Sequence, residues 1–225
     1  MNSATLYRLL AWLSPAYPIG GFSYSHGVEW AVEEGLVKDR ATLAHWIGTI
    51  LTQGAGRSDG ALFAAAWRAA RAGDDAALDE IAELAAAWRG TNETALESYA
   101  QGTAFVSVTV KAWPDVKLAA LAARHDNKLA LLVAAAVALA AHADLADALT
   151  GYLAAFAANL VSAGVRLVPL GQTDGQLALA DLEPMVAAAA EAAMAAALDQ
   201  VGSAAPMLDW ASMRHETQYT RLFRS

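Results

Sequence analysis

The apolar positions follow a helical rhythm almost from end to end. After Ser3, a hydroxyl placed to cap a helix, Leu6, Leu9, Leu10 and Leu13 recur at the i, i+3, i+4, i+7 spacing of a single face. Ser14-Pro15 stops that helix, because a proline drives the residue before it out of the α region, and Pro15 to Gly21 reads as a loop. A second helix is expected to begin around Ser23 to Ser25 and to close on Gly35. Asp39 caps a third, with Leu43, Trp46, Ile47, Ile50 and Leu51 on one face. Gly54-Ala-Gly-Arg-Ser58 reads as a flexible break. Leu62, Phe63, Ala66, Trp67 and Ala70 mark a fourth helix ending at Gly73, and Leu78, Ile81, Ala82, Ala85 and Trp88 a fifth ending at Gly90.

Further along, Thr94-Ala-Leu-Glu97 has the form of a capping box. It opens a helix reaching Trp113-Pro114. Phe105-Val-Ser-Val-Thr-Val110 alternates as a strand would, but it lies inside that longer helical pattern. A short helix follows, then a turn at His125-Asp-Asn127. Two very apolar helices, Leu129 to Ala141 and Leu145 to Leu167, are separated by His142-Ala-Asp144. Pro169 to Gly175 reads as a second structured loop. Pro184 suits the first turn of a last long helix ending near Gly202, which leaves residues 203–225 as a tail. With no linker, composition shift or repeat, the expected fold is all-α: one single-domain bundle of about ten helices over residues 1–225, with Ala-rich central helices.

Composition sharpens this picture. The chain has 225 residues, 56% of them hydrophobic, with runs such as Ala187-Ala-Ala-Ala190; alanine favours helix and lets helices approach closely. Residues 148–165 carry no charge and approach the length of a membrane span. Their Ala, Gly, Asn and Ser content, with Asp147 and Arg166 at the flanks, reads better as a buried central helix. The N-terminus lacks the basic segment of a secretion signal, so a cytoplasmic location is expected. There is no cysteine, which excludes disulfides, thiolate metal sites and cysteine nucleophiles. A net charge of −8 repels nucleic acid and anionic lipid.

Candidate chemistry is sparse. Gly21-Phe-Ser23-Tyr-Ser25 approaches a nucleophile elbow, so a small serine hydrolase using Ser23 is the alternative reading, but a proline-rich loop precedes it where that motif needs a strand. The histidines His26, His45, His125, His142 and His215 lack the close pairing of a metal site. Glu93, Glu97 and Arg89 are conceivable acid–base groups, though a solvated helix face uses the same residues. Gly171-Gln-Thr-Asp-Gly175 resembles a phosphate cradle without its lysine, so the chain is expected neither to bind nor to hydrolyse a nucleotide. The tail stands apart: Tyr219, Leu222 and Phe223 interleave with Arg221 and Arg224, a mixture favoured at the centre of interfaces. It is expected to be loosely held alone and to order on a partner. The glycines of the loop from Pro18 to Tyr24 should turn Phe22 or Tyr24 outward.

Several segments in order resemble one family. Leu13-Ser-Pro-Ala-Tyr-Pro-Ile-Gly-Gly-Phe-Ser-Tyr-Ser25, followed by Gly27 and Glu29-Trp30, looks like the signature loop of the UreF urease accessory proteins. Glu97-Ser-Tyr-Ala-Gln-Gly102, Arg166-Leu-Val-Pro-Leu-Gly-Gln-Thr-Asp-Gly-Gln176 and His215-Glu-Thr-Gln-Tyr-Thr-Arg-Leu-Phe-Arg-Ser225 are similar to three further blocks of that family. His26 departs from it, standing where glutamine is the commoner residue. The resemblance implies an all-α homodimer without catalytic or metal residues and without a cofactor. It implies that the chain joins UreD (UreH in some organisms), recruits the GTPase UreG, and docks on the urease apoprotein, with nickel as cargo. It nominates Phe22, Tyr24 and Glu29, the neighbourhood of Arg166, Gln172 and Asp174, and the tail residues Tyr219, Arg221, Leu222, Phe223 and Arg224 as partner-binding positions.

Overall fold

The computed structural model describes residues 2–225. Among them are eleven α-helices and two 3-10 turns: α1 (Ser3–Trp12), a turn at Gly21–Ser23, α2 (Val28–Glu33), α3 (Arg40–Thr52), α4 (Ala55–Ala72), α5 (Asp75–Ala87), α6 (Asn92–Ala112), α7 (Val116–Arg124), α8 (Leu131–Ala140), α9 (Leu145–Leu167), α10 (Gln172–Ala195), a turn at Leu198–Gln200, and α11 (Pro206–His215). The all-α bundle expected from the periodicity is what forms. Its centre is α8, where every residue from Leu132 to Ala140 is buried, packed on α4 and α6; α9 and α10 lie along each other and close against α3 and α4.

The small side chains set how near these helices come. At Gly102, in α6, an added Cβ would fall on the carbonyl oxygen of Leu129 and 2.8 Å from the amide of Leu131, where α8 begins. In α4, a Cβ at Gly60 would meet Ala193 of α10 at 2.8 Å. Close approach of this kind packs the interior at high density with few large side chains. The uncharged stretch of α9 serves the same core: half of its most apolar window is buried inside the bundle.

Several local expectations are corrected. The first helix forms, but its buried stripe is Thr5, Leu9 and Trp12, while Leu6 and Leu10 face outward; Trp12 is held edge-on by Phe105 and Trp113, and the Thr5 hydroxyl donates to the His142 carbonyl at 2.7 Å. The second helix starts only at Val28, because His26 and Gly27 both take left-handed backbone, with φ of 55° and 79°. Gly54–Ser58 is no break: Gly54 caps α4, and Gly56 lies against the backbone of Leu51, a contact that excludes a side chain. The box that opens α6 is Thr91 with Thr94, not Thr94 with Glu97. Pro184 lies inside α10, which begins at Gln172 and runs through it, held by α9 and α3. The tail is not all tail either, since Pro206 to His215 is helical, leaving a short irregular lead at 203–205 and an irregular strap at 216–225.

The Gly102 crossing is directly testable. Gly102→Ala is expected to cost about 3 kcal/mol through overpacking, read as a lower urea midpoint with unchanged slope. An unchanged midpoint would show that α6 and α8 have slack.

Candidate functional site

Three buried carboxylates collect the strap. Glu29 and Glu93 stand in the first turns of α2 and α6, where unpaired helix amides favour negative charge. His215, the last residue of α11, is fully buried between them: Nε2 is 2.9 Å from Glu29 Oε2 and Nδ1 is 2.7 Å from Glu93 Oε2. Glu29 also accepts the backbone N–H groups of Leu222 (2.6 Å) and Phe223 (2.9 Å). Arg221 donates to the other oxygen of Glu93 at 2.8 Å. Every oxygen of the two carboxylates thus has a polar partner within hydrogen-bond distance, which buried charge requires.

The third carboxylate, Glu97, lies one turn along α6 from Glu93. It accepts the Ser225 hydroxyl at 2.8 Å and the Gln101 amide at 3.1 Å, and the His26 ring stands 3.4 Å away. Because α6 already begins at Asn92, Glu97 lies in its second turn, beyond reach of the cap, and is left to bind these groups. The strap then runs beside the N-terminal loop, Arg224 N–H donating to the Ser23 carbonyl at 2.8 Å and Ser25 N–H to the Ser225 main-chain oxygen at 2.6 Å. The left-handed turn at His26 and Gly27 aims Ser25 and Glu29 at it. A Cβ on Gly27 would press on Ala211 and on the Ser212 amide at 3.1 Å, so glycine also admits α11.

Phe223 is the strap's buried anchor, 4% exposed, with the Arg166 guanidinium 4.5 Å above its ring. Arg166 also donates to the Phe22 carbonyl at 2.8 Å, and Asn159 to that of Gly21 at 2.9 Å. One arginine from α9 therefore ties the loop to the strap. Outside this seated edge, Phe22, Leu96, Tyr219 and Leu222 are exposed, and Arg221 and Arg224 lie among them.

Burial and pairing set the ionisation of the cluster. Burial pushes the Glu93 carboxyl above its ordinary value, partly countered by His215 and Arg221. For His26 burial alone would lower the value, but the hydrogen bond and charge of Glu97 outweigh it and raise the ring above 6.5. Behind His26, Arg89 and Asp59 pair at 3.1 Å. Burial opposes the Arg89 charge, yet the Asp59 carboxylate holds its value up. Burial raises Tyr152 strongly, with Asp59 adding to it.

Of the nominated positions, Phe22, Tyr24, Glu29, Arg166, Arg221, Leu222, Phe223 and Arg224 come together here, with Tyr219 fully exposed on the outer side. Tyr24, Glu29 and Phe223 are turned inward, and of the two loop aromatics Phe22 is the one presented outward. Gln172 and Asp174 belong instead to the start of α10, where Asp174 accepts the Gly171 N–H. The tail expected to be loose is seated on its own chain. Ser23 stands in a 3-10 turn with its carbonyl engaged by Arg224, and among the described residues no histidine hydrogen-bonds its hydroxyl. Sequence reading passed over His215, Glu93 and Glu97 as structural partners. The i, i+4 spacing of the two glutamates was the available signal, and nothing local marked that face as buried.

The Phe223 anchor generates a prediction. Phe223→Ala is expected to cost about 3 kcal/mol of strap docking, seen as faster tryptic cleavage at Arg221 with the bundle intact. Unaltered cleavage would mean that the hydrogen bonds alone seat the strap.

Comparison with known proteins extends the match across the chain. The family model described as UreF matches residues 37–183. The chain is similar to the urease accessory protein UreF of Granulibacter bethesdensis, 59% identical over 100% of this chain and 95% of that one. It is 52% identical to UreF of Rhodopseudomonas palustris strain HaA2, with the same coverage of both chains. To UreF of Bradyrhizobium diazoefficiens it is 50% identical, over 100% of this chain and 93% of that one.

Proposed function

The chain belongs to the UreF family of urease accessory proteins, and we propose that it acts in urease maturation as a non-catalytic adaptor. In this reading it joins UreD (UreH) through the strap, recruits UreG, and brings the assembly to the urease apoprotein as a homodimer in the cytoplasm, nickel being cargo. Coupling to GTP then runs through UreG: the adaptor shifts nickel release only as far as it binds one state of UreG more tightly than another.

One observation carries the reading. Four segments spread over 200 residues of sequence, which bear the resemblance to the family, converge on one edge of the bundle: the Gly21–Ser25 loop, the Glu97 turn of α6, Arg166 and the strap. Their inward groups are consumed in seating the strap, while Phe22, Leu96, Tyr219, Leu222, Arg221 and Arg224 remain available outside. An apolar centre ringed by arginines is the composition of an interface hot spot. Residues 203–225 thus supply a docking element already held in shape, which lowers the ordering cost of association. A second contact surface is proposed around Arg166, Gln172 and Asp174.

Two substitutions separate docking from folding. Tyr219→Ala combined with Leu222→Ala removes only outward groups and is expected to weaken UreD capture at least about 30-fold, on the order of 2 kcal/mol, at unchanged helicity. Undiminished pull-down of UreD would overturn the assignment of the strap.

The loop is tested separately. Phe22→Ala is expected to reduce recruitment of UreG to the UreD-bound complex about tenfold, while the melting temperature moves by no more than a few degrees. Normal recruitment by the Phe22→Ala protein would remove the loop from that surface.

A further inference from the structure

We propose that protonation of His215 locks the strap onto the bundle, with His26 acting in the same sense, so that the strap is held in mildly acidic solution and freed as the pH rises. Both ring nitrogens of His215 face carboxylate oxygens, Glu29 at 2.9 Å and Glu93 at 2.7 Å. A carboxylate only accepts, and a neutral imidazole has one N–H. The imidazolium alone can donate to both. Its positive charge, with that of Arg221, balances Glu29 and Glu93 in a site where the ring is fully buried. Loss of the proton sets a nitrogen lone pair against a carboxylate oxygen and leaves one buried negative charge uncompensated, the costly case for a broken buried pair.

Carboxylates outnumber arginines around both rings. His215 is faced by Glu29 from α2, Glu93 from α6 and Arg221 from the strap, with Glu216 following it at the end of α11. His26 is faced by Glu97 from α6, by Asp59 from α4 and by Arg89 beyond α5. Because its folded value is raised, His26 contributes stability that is complete below 6.5 and is lost as the pH rises through the folded value. Burial raises Glu93, and its protonation would take away the carboxylate that pairs with the ring and with Arg221, so the lock requires Glu93 to stay ionised. Glu29 accepts from both His215 and the Leu222 and Phe223 amides. The proton on the ring and the grip on the strap therefore share one carboxylate.

The lock rests on contacts within this chain, whereas its use in partner docking rests on the function proposed above. The experiment involves no partner, so either can fail alone. Amide hydrogen exchange of the full chain, corrected for intrinsic base catalysis, is measured at about pH 6 and about pH 8, across the range of histidine titration. Protection of Leu222 and Phe223 is expected to fall at least about tenfold, while amides near Leu160 in α9 keep theirs. Glu93→Gln places an amide that can accept from Arg221 and donate to a neutral His215, so its strap should stay seated with a much smaller pH response, the part due to His26. His215→Gln should show low strap protection at both pH values; if it does not fold, Glu93→Gln decides. Equal protection at both pH values in the unmodified chain, the same fall in Glu93→Gln, or parallel loss of protection in α9 would each overturn the lock.

Discussion

The carboxylate of Glu29 is the joint on which the functional edge depends. It is buried, and it binds three groups from parts of the chain 186 to 194 residues away: the His215 ring and the amides of Leu222 and Phe223. Hydrogen bonds to a charged acceptor are stronger than neutral ones, and a buried carboxylate left without them would be severely destabilising. Once Glu29 is fixed at the start of α2, the strap has a single register. Phe223 then falls under Arg166, Ser225 reaches Glu97, and Arg221 reaches Glu93.

That joint needs a rigid setting, and the bundle supplies it with unusually small side chains. The interior around α8 is largely alanine, so the helices come close enough that glycines at crossings are the only residues that fit. Close crossings leave little room for sliding, and α6, which carries Glu93 and Glu97, is held against α8 by one of them. Polar groups at the site are held by such elements and not by mobile loops. The aromatic content is concentrated where alanine cannot fill space, as around Trp12, Phe105 and Trp113.

The fold could be read from the order of residues because its signals are local. Gly73 closes α4, Asp39 caps α3, and α9 spans Leu145 to Leu167 as its periodicity predicts. Where local signals failed, tertiary contact had overruled them. Pro184 could not start a helix that neighbours already held on both sides, and the glycines at 54 and 56 served close packing instead of flexibility. The site was readable in its outer half: the loop and tail aromatics were singled out by composition. Of its inner half only Glu29 was nominated: Glu93 and Glu97 lie one helical turn apart but far in sequence from Glu29 and His215, and polar residues on helices are ordinarily solvated.

The strap's bonds to Glu29, Glu93 and Ser25 bridge sequence separations of 194, 128 and 200 residues. Glu29 and Glu93 face one another only after α2 and α6 have been brought together, so the strap has no binding surface until the bundle is assembled. Its docking therefore presupposes that α2 and α6 have already met. Contacts formed after a transition state govern how quickly the native form comes apart, not how quickly it is reached. A contact that requires the assembled edge slows its opening more than it speeds its assembly.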